Sequence, residues 1–166
     1  MEGNLLSNYA SLIAPSVSRG ETEVKDIVKA FILRYEEFLK FHNIFMPTFS
    51  IRDLRVKYGL EVSANEKANS IPGSVKMKSQ ERLSGVLAGV PVVVSPQFDM
   101  EGVATTGASQ ILEISLPSAD APSIAALRTA GAIIMGQAVV SELNKRSIGI
   151  NSVYGSPKNV SYGFYI

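Results

Sequence analysis

The chain contains no cysteine and no tryptophan, and His42 is its single histidine. Without thiols it can form no disulfide, no thiolate zinc or iron–sulfur site and no cysteine nucleophile. One histidine cannot build a His-rich metal site. In a Ser-His-Asp triad, His42 would be the single candidate for the base. His42 falls at the end of an amphipathic stretch, where the helix dipole favours histidine, so we interpret it as structural. The sequence therefore predicts neither a metal site nor a cofactor.

The sequence also lacks a large net charge of either sign. Sixteen basic and fifteen acidic side chains among 166 residues give a formal charge of +1. That balance offers no electrostatic basis for binding nucleic acid or an anionic membrane. No basic leader with an apolar run opens the sequence, and the nearly uncharged stretch of residues 83–97 is interrupted by Pro91 and Pro96. We expect a cytoplasmic protein that binds neither nucleic acid nor membrane.

Charge and glycine are distributed unevenly along the chain. Residues 1–84 hold 22 of the 31 charged side chains but only four of the 13 glycines. Residues 85–166 hold the other nine charges and nine glycines. This contrast predicts a helical N-terminal part, 1–84, followed by a glycine-punctuated α/β core, 85–166. The length suits one domain, and we expect the two parts to form one incomplete domain.

Apolar periodicity predicts three helices in the first part. They cover approximately residues 5–13, 22–41 and 53–69, and the polar residues 70–84 then form a connector. We expect the first helix to end before Pro15, because proline lacks the N–H that an interior helical position donates. The third helix contains Gly59.

Strand and helix patterns alternate in the second part. Val90–Val94 is a continuous β-branched run, typical of a strand that is buried on both faces. Asp120 is placed to cap a helix that has Pro122 in its first turn and ends at Gly131. Ala132–Met135 is then a second buried strand. The pattern predicts a βαβ unit, and therefore an α/β fold whose sheet has a parallel core.

A collinear set of short motifs fills residues 85–159. The set reads Gly85-Val86-Leu87-Ala88-Gly89-Val90-Pro91-Val92-Val93-Val94, Phe98-Asp99-Met100-Glu101-Gly102-Val103-Ala104-Thr105-Thr106-Gly107-Ala108-Ser109, Asp120-Ala121-Pro122, Leu127-Arg128-Thr129-Ala130-Gly131-Ala132, Gly136, Ser141-Glu142-Leu143 and Asn151-Ser152-Val153-Tyr154-Gly155. In order and spacing it closely resembles the N-terminal part of the amidase signature family. The resemblance implies helices around a mixed sheet, and hydrolysis of carbon–nitrogen amide bonds by a Ser-cis-Ser-Lys triad.

The catalytic part of the resemblance is incomplete. In the family the lysine follows the strand directly, but here Val94 is followed by Ser95 and Pro96. Serine cannot replace an amine base near neutral pH, because neither its acidity nor its basicity lies in that range. The family's Gly-Gly-Ser-Ser-Gly-Gly loop, which supplies the serines and oxyanion donors, would follow residue 166. We therefore expect no catalytic residue, with Ser95 at the lysine position, and a truncated, inactive pseudoenzyme.

Polar side chains of the loop 95–109 remain as candidates for substrate binding. They are Gln97, Asp99, Thr105, Thr106 and Ser109. Open α/β sheets gather ligands beyond the carboxyl ends of their strands, which is where this loop lies. For the two threonines the alternative is structural, because their hydroxyls can bond the backbone of a turn.

One wall of a cleft encloses a ligand poorly, so we expect at most weak binding of a small amide. A second copy of the chain or a full-length amidase-like partner could close the cleft. We also expect an exposed, partly apolar sheet edge that favours such association. The alternative hypothesis is an active amide hydrolase that uses a non-standard site or a serine loop supplied by a partner chain.

Overall fold

The computed structural model describes residues 10–37, 39–48, 50–60, 83–112 and 115–159. In these ranges the elements are α1 (Ala10–Arg19), α2 (Val24–Glu37), α3 (Ile51–Lys57), β1 (Pro91–Val94), α4 (Pro122–Thr129) and β2 (Ile133–Gln137). Short 3-10 turns cover Leu39–His42, Gln110–Leu112 and Glu142–Asn144. No helix within the described ranges has both the length and the apolar character needed to cross a bilayer.

β1 and β2 pair in parallel, and α4 connects them, so the predicted βαβ unit is confirmed. Val92 lies opposite Ile134, and the register then shifts so that Val93 lies opposite Gly136. β2 is buried along its whole length, whereas Val93 of β1 remains 40% exposed. The prediction that the first strand is buried on both faces is therefore wrong. Pairing with β2 occupies one edge of β1, but none of the buried clusters among the described residues includes Val93.

Side chains of β2 alternate between two helical layers, as the period of a strand requires. Ile133 and Met135 pack with α2 and α3, while Ile134 packs with α4. A further cluster joins α1 and α2 to the segment that precedes β1, through Ile13, Ala14, Val17, Ile27, Ala88 and Val90. Helices of the first part and strands of the second part thus share one core.

α1 continues through Pro15 to Arg19, so the prediction that this helix ends before the proline is wrong. Residues 5–9 of the predicted helix lie outside the described residues. Pro15 removes one interior hydrogen bond. Its neighbour Ala14 and the next-turn residue Val17 are both buried in the shared core. Burial of this face outweighs the local preference of proline.

α2 lies within the predicted range of residues 22–41, with a 3-10 turn in place of its last turn. α3 ends at Lys57, so the predicted continuation of that helix through Gly59 is wrong. Gly59 adopts a left-handed φ of +66°, and Leu60 N donates to Arg55 O at 2.8 Å. This is the geometry with which glycine ends helices. Residues 61–82, which include most of the predicted connector, lie outside the described residues.

Asp120 does not cap α4, contrary to the prediction. Ala121 occupies the cap position without a side-chain bond, and Pro122 begins the helix as predicted. The Asp120 carboxylate accepts a hydrogen bond from Glu101 N at 2.9 Å, and its other oxygen lies 2.7 Å from Arg128 Nε. Both oxygens are thus engaged in fixing the loop after β1 to α4.

Candidate functional site

The loop that follows β1 turns back on itself and is anchored in the core. Gly107 N donates to Pro96 O at 2.9 Å, and Met100 forms a short antiparallel bridge with Val103. The side chain of Met100 is fully buried against Val94 and the α4 residue Ile124. The loop therefore lies at the carboxyl end of β1, as predicted, and its shape is fixed by the core beneath it.

Two of the predicted binding residues, Asp99 and Thr105, are bonded to each other. Thr105 Oγ1 donates to Asp99 Oδ1 at 2.7 Å, and the main-chain oxygen of Asp99 accepts from Ala121 N at 2.9 Å. Asp99 is exposed, and its second carboxylate oxygen has no partner within the described residues. This oxygen can accept a hydrogen bond from an amide N–H.

Thr106 and Ser109 direct their hydroxyls into the fold. Thr106 is fully buried, and its Oγ1 accepts a hydrogen bond from Ala108 N at 3.1 Å. Its hydroxyl therefore bonds the backbone of the turn, which is the structural alternative to ligand binding. Ser109 is buried too, and its Oγ donates to Glu142 Oε1 at 2.7 Å. Gln97, by contrast, is exposed. The exposed side of the loop thus presents Gln97 and Asp99, with Thr105 half-buried beside them.

Asn151 connects the loop to two other segments, a role that the sequence did not reveal. Its Nδ2 donates to Ala108 O and Val140 O, each at 2.9 Å. Its Oδ1 accepts from Val153 N and Tyr154 N, also at 2.9 Å. The sequence signal was the turn-forming string that begins at Asn151, since asparagine often bonds the backbone two residues ahead. The long-range half of the network has no local signal.

Ser95 follows β1 directly, at the position where the resemblance places the family's lysine. Its Oγ is buried and forms no hydrogen bond with the described residues. Gln137, opposite Val94 at the end of β2, is fully buried as well. Gln137 Oε1 accepts from Thr48 Oγ1 at 2.6 Å, but Nε2 has no partner within the described residues. Buried polar groups are normally paired, so two unpaired groups at the same end of the sheet mark a candidate centre.

The strongest pKa shifts occur at the end of α3 and not in the loop. Burial, together with the positive charge of the nearby Arg128 guanidinium, lowers the pKa of Lys57 to about 8. Burial raises the pKa of Tyr58 to about 12. Within the described ranges no histidine or lysine bonds Ser95, and no three acidic, histidine or cysteine side chains group as a metal site would require. The described residues around Ser95 therefore provide a polar wall but no base.

Comparisons with known proteins identify the family. The amidase family model matches residues 56–161, which is more than half of the chain. The glutamyl-tRNA(Gln) amidotransferase A subunit of Lachnospira eligens is 29% identical over 156 residues, 94% of this chain and 30% of the relative. Its counterpart in Methanococcoides burtonii is 36% identical over 86 residues, 52% of this chain and 18% of the relative. The chain thus spans less than a third of the length of these relatives.

Solved structures share the fold. A fatty acid amide hydrolase superposes with a TM-score of 0.68 at 18% identity, covering 93% of this chain and 25% of that protein. A peptide amidase from Stenotrophomonas maltophilia superposes with a TM-score of 0.62 at 19% identity, covering 93% of this chain and 31% of that protein. The expected α/β architecture and the resemblance of residues 85–159 are both confirmed. This chain belongs to the amidase family.

Proposed function

We propose that residues 1–166 form a catalytically inactive amidase-like unit, a pseudoenzyme that acts in the cytoplasm by binding. The observation that supports this proposal concerns Ser95. Its buried Oγ stands at the carboxyl end of β1, where the resemblance places the catalytic lysine, and it lacks a hydrogen-bond partner among the described residues.

The chemistry of amide cleavage supports inactivity. A serine hydroxyl becomes a nucleophile only when a base lies within hydrogen-bond reach of it. Lys145 is exposed in the segment after β2 and is not placed by the family motif. Removing one member of a nucleophile–base unit lowers the rate by about 10⁴- to 10⁶-fold, and further losses then matter little.

The remaining polar wall supports weak recognition of a small amide. Gln97 offers an amide, Asp99 a carboxylate oxygen and Thr105 a hydroxyl, beside the apolar ring of Phe98, which is 43% exposed. Thr106 and Ser109 shape this wall from within. A wall on one side buries too little of a ligand for tight binding. We propose that a second copy or a full-length amidase-like partner supplies the opposite side.

An assay of the purified 166-residue chain on simple amides tests the proposal. We expect no turnover in the parent chain or in Ser95→Ala. We also expect none in Ser95→Lys, because a lysine alone supplies no nucleophile. Turnover that disappears in Ser95→Ala but persists in Ser152→Ala, a matched change at an exposed serine, would overturn the proposal in favour of an active hydrolase.

The partner requirement is tested by calorimetry with acetamide. We expect no saturable binding to the chain alone, and binding that appears when a full-length amidase-family protein is added. Asp99→Asn should weaken that binding, because it replaces the acceptor oxygen. Tight binding of acetamide by the monomer alone would contradict the requirement.

A further inference from the structure

A cavity of about 380 Å³ lies between the segment that follows β2 and residues 157–159. Apolar side chains form much of its lining, namely Ile44, Val139, Val140, Ile148 and Pro157. Val139 N donates to Ile44 O and Lys158 N donates to His42 O, both at 2.8 Å, so main-chain bonds hold the two sides together. The volume falls within the range of small-molecule sites, about 300 to 1,000 Å³. The cavity therefore suits the apolar body of a small ligand.

The charged lining of this cavity has one sign. Arg146 and Lys158 contribute to it, and no carboxylate does so among the described residues. Arg146 forms no ion pair within the described residues, and its side chain is exposed. A guanidinium presents two parallel N–H donors, which match the two oxygens of a carboxylate.

Ser141 fixes the position of Arg146. Arg146 N donates to Ser141 Oγ at 3.0 Å, and Ser141 Oγ donates to Arg146 O at 3.1 Å. Ser141 is buried, so these two bonds close the six-residue segment 141–146 on a core position. The loop carries Arg146 to the wall of the cavity with a fixed backbone, which lowers the entropic cost of binding.

We propose that this cavity binds a small organic monoanion, with its carboxylate on Arg146 and its apolar body against Val139 and Ile148. Lys158 also lines this wall. The proposal does not rest on amide recognition, because neither Ser95 nor any predicted wall residue lines the cavity. Its ligand is an acid, whereas the proposed wall takes an amide.

Benzoate and benzyl alcohol are suitable probes, because they share a ring and differ in charge. In calorimetry with the 166-residue chain we expect saturable binding of benzoate, and binding of benzyl alcohol at least about tenfold weaker. Arg146→Gln should lower the benzoate affinity about tenfold, as expected for a hydrogen bond to a charged group. Lys145→Gln is the matched control, since Lys145 is the exposed neighbour and does not line the cavity. It should change the affinity less than twofold.

Arg146→Lys keeps the charge but loses the paired donors, so it should give an intermediate affinity. If Arg146→Gln does not fold, Arg146→Lys serves as the test variant in its place. Amide chemical-shift changes on adding benzoate should centre on Gly149, which lines the cavity, and not on Gln97. Equal affinity for the two probes, absence of saturable benzoate binding, or equal losses in the Lys145 and Arg146 variants would each overturn the proposal. None of these measurements reads amide turnover, so the proposed function can fail independently.

Discussion

The side-chain amide of Asn151 donates a hydrogen bond of 2.9 Å to the main-chain oxygen of Ala108, 43 residues earlier in the chain. Ala108 is fully buried and adopts a left-handed φ of +57°. An alanine in this conformation is strained, and the surrounding structure must hold it there. The bond from Asn151 therefore helps to fix the turn that ends the proposed binding wall.

Asn151→Ala should lower the free energy of unfolding by about 2 to 4 kcal/mol. The change removes four hydrogen bonds and leaves the main-chain oxygens of Ala108 and Val140 without this donor. Urea denaturation of the purified chain measures the loss. Ser152→Ala, at the exposed neighbouring position, should change the stability by less than about 0.5 kcal/mol. Similar effects of the two variants would contradict a central role for Asn151.

Gly89→Ala should destabilise the chain by more than Gly59→Ala. Both glycines have a left-handed φ, +73° and +66°, so both variants incur the backbone cost of about 1 kcal/mol. A Cβ at position 89 would also lie 2.6 Å from Val17 Cγ2 in α1, whereas position 59 has nothing within 4 Å. The overlap should add about 1 to 3 kcal/mol.

Thermal unfolding of the two glycine variants isolates the packing between α1 and the segment before β1. If Gly59→Ala and Gly89→Ala lowered the melting temperature equally, the close approach of α1 to Gly89 would not contribute to stability. The comparison also tests whether α1, which continues past Pro15, is held by this contact.

Stability should increase as the pH rises from about 8 towards 10, because of Lys57. Burial lowers its pKa from the usual 10.5 to about 8 in the folded chain. In this window the unfolded chain therefore binds more protons than the folded chain, and the free energy of unfolding rises with pH. Above about pH 10 the raised pKa of Tyr58 acts in the opposite direction, since the unfolded tyrosine ionises first.

Lys57→Met keeps the length of the side chain and removes the titrating amine. Urea denaturation between pH 7 and 10 should then show a smaller rise in stability than in the parent chain. Lys145→Met, at an exposed position, is the control and should leave the slope unchanged. An identical pH slope in the parent chain and Lys57→Met would show that the Lys57 amine is not desolvated in the fold.

Much of the α/β core could be predicted from the sequence, because its signals are local. The β-branched run of β1 and the apolar run of β2 each indicate a strand, although only β2 is buried throughout, and Gly131 ends the helix between them with a left-handed φ. Pro15 and Asp120 could not be interpreted in the same way. Their roles depend on partners distant in sequence: the core beneath α1, and Glu101 and Arg128 around the carboxylate.

The position of the candidate site was predictable, but the direction of its side chains was not. A strand end specifies where the loop begins, and the family motif specifies Ser95. Whether a hydroxyl of the loop points outward or inward depends on what packs beneath it. Thr106 bonds Ala108 N and Ser109 bonds Glu142, and neither partner follows from a local pattern.

Ser95→Ala should raise the free energy of unfolding by up to about 1 to 2 kcal/mol. The buried Oγ has no hydrogen-bond partner within the described residues, so its removal relieves a desolvation cost without breaking a bond. Ser141→Ala is the contrasting variant, because the equally small Ser141 hydroxyl bonds both backbone groups of Arg146 and should be destabilising when lost. Urea denaturation of the two variants measures the expected rise in the free energy of unfolding for Ser95→Ala and the expected fall for Ser141→Ala. Unpaired polar groups that lower stability are typical of sites kept for binding or chemistry, which ties this result to the role proposed for the end of β1. A loss of stability in Ser95→Ala as large as that in Ser141→Ala would instead identify Ser95 as a structural residue.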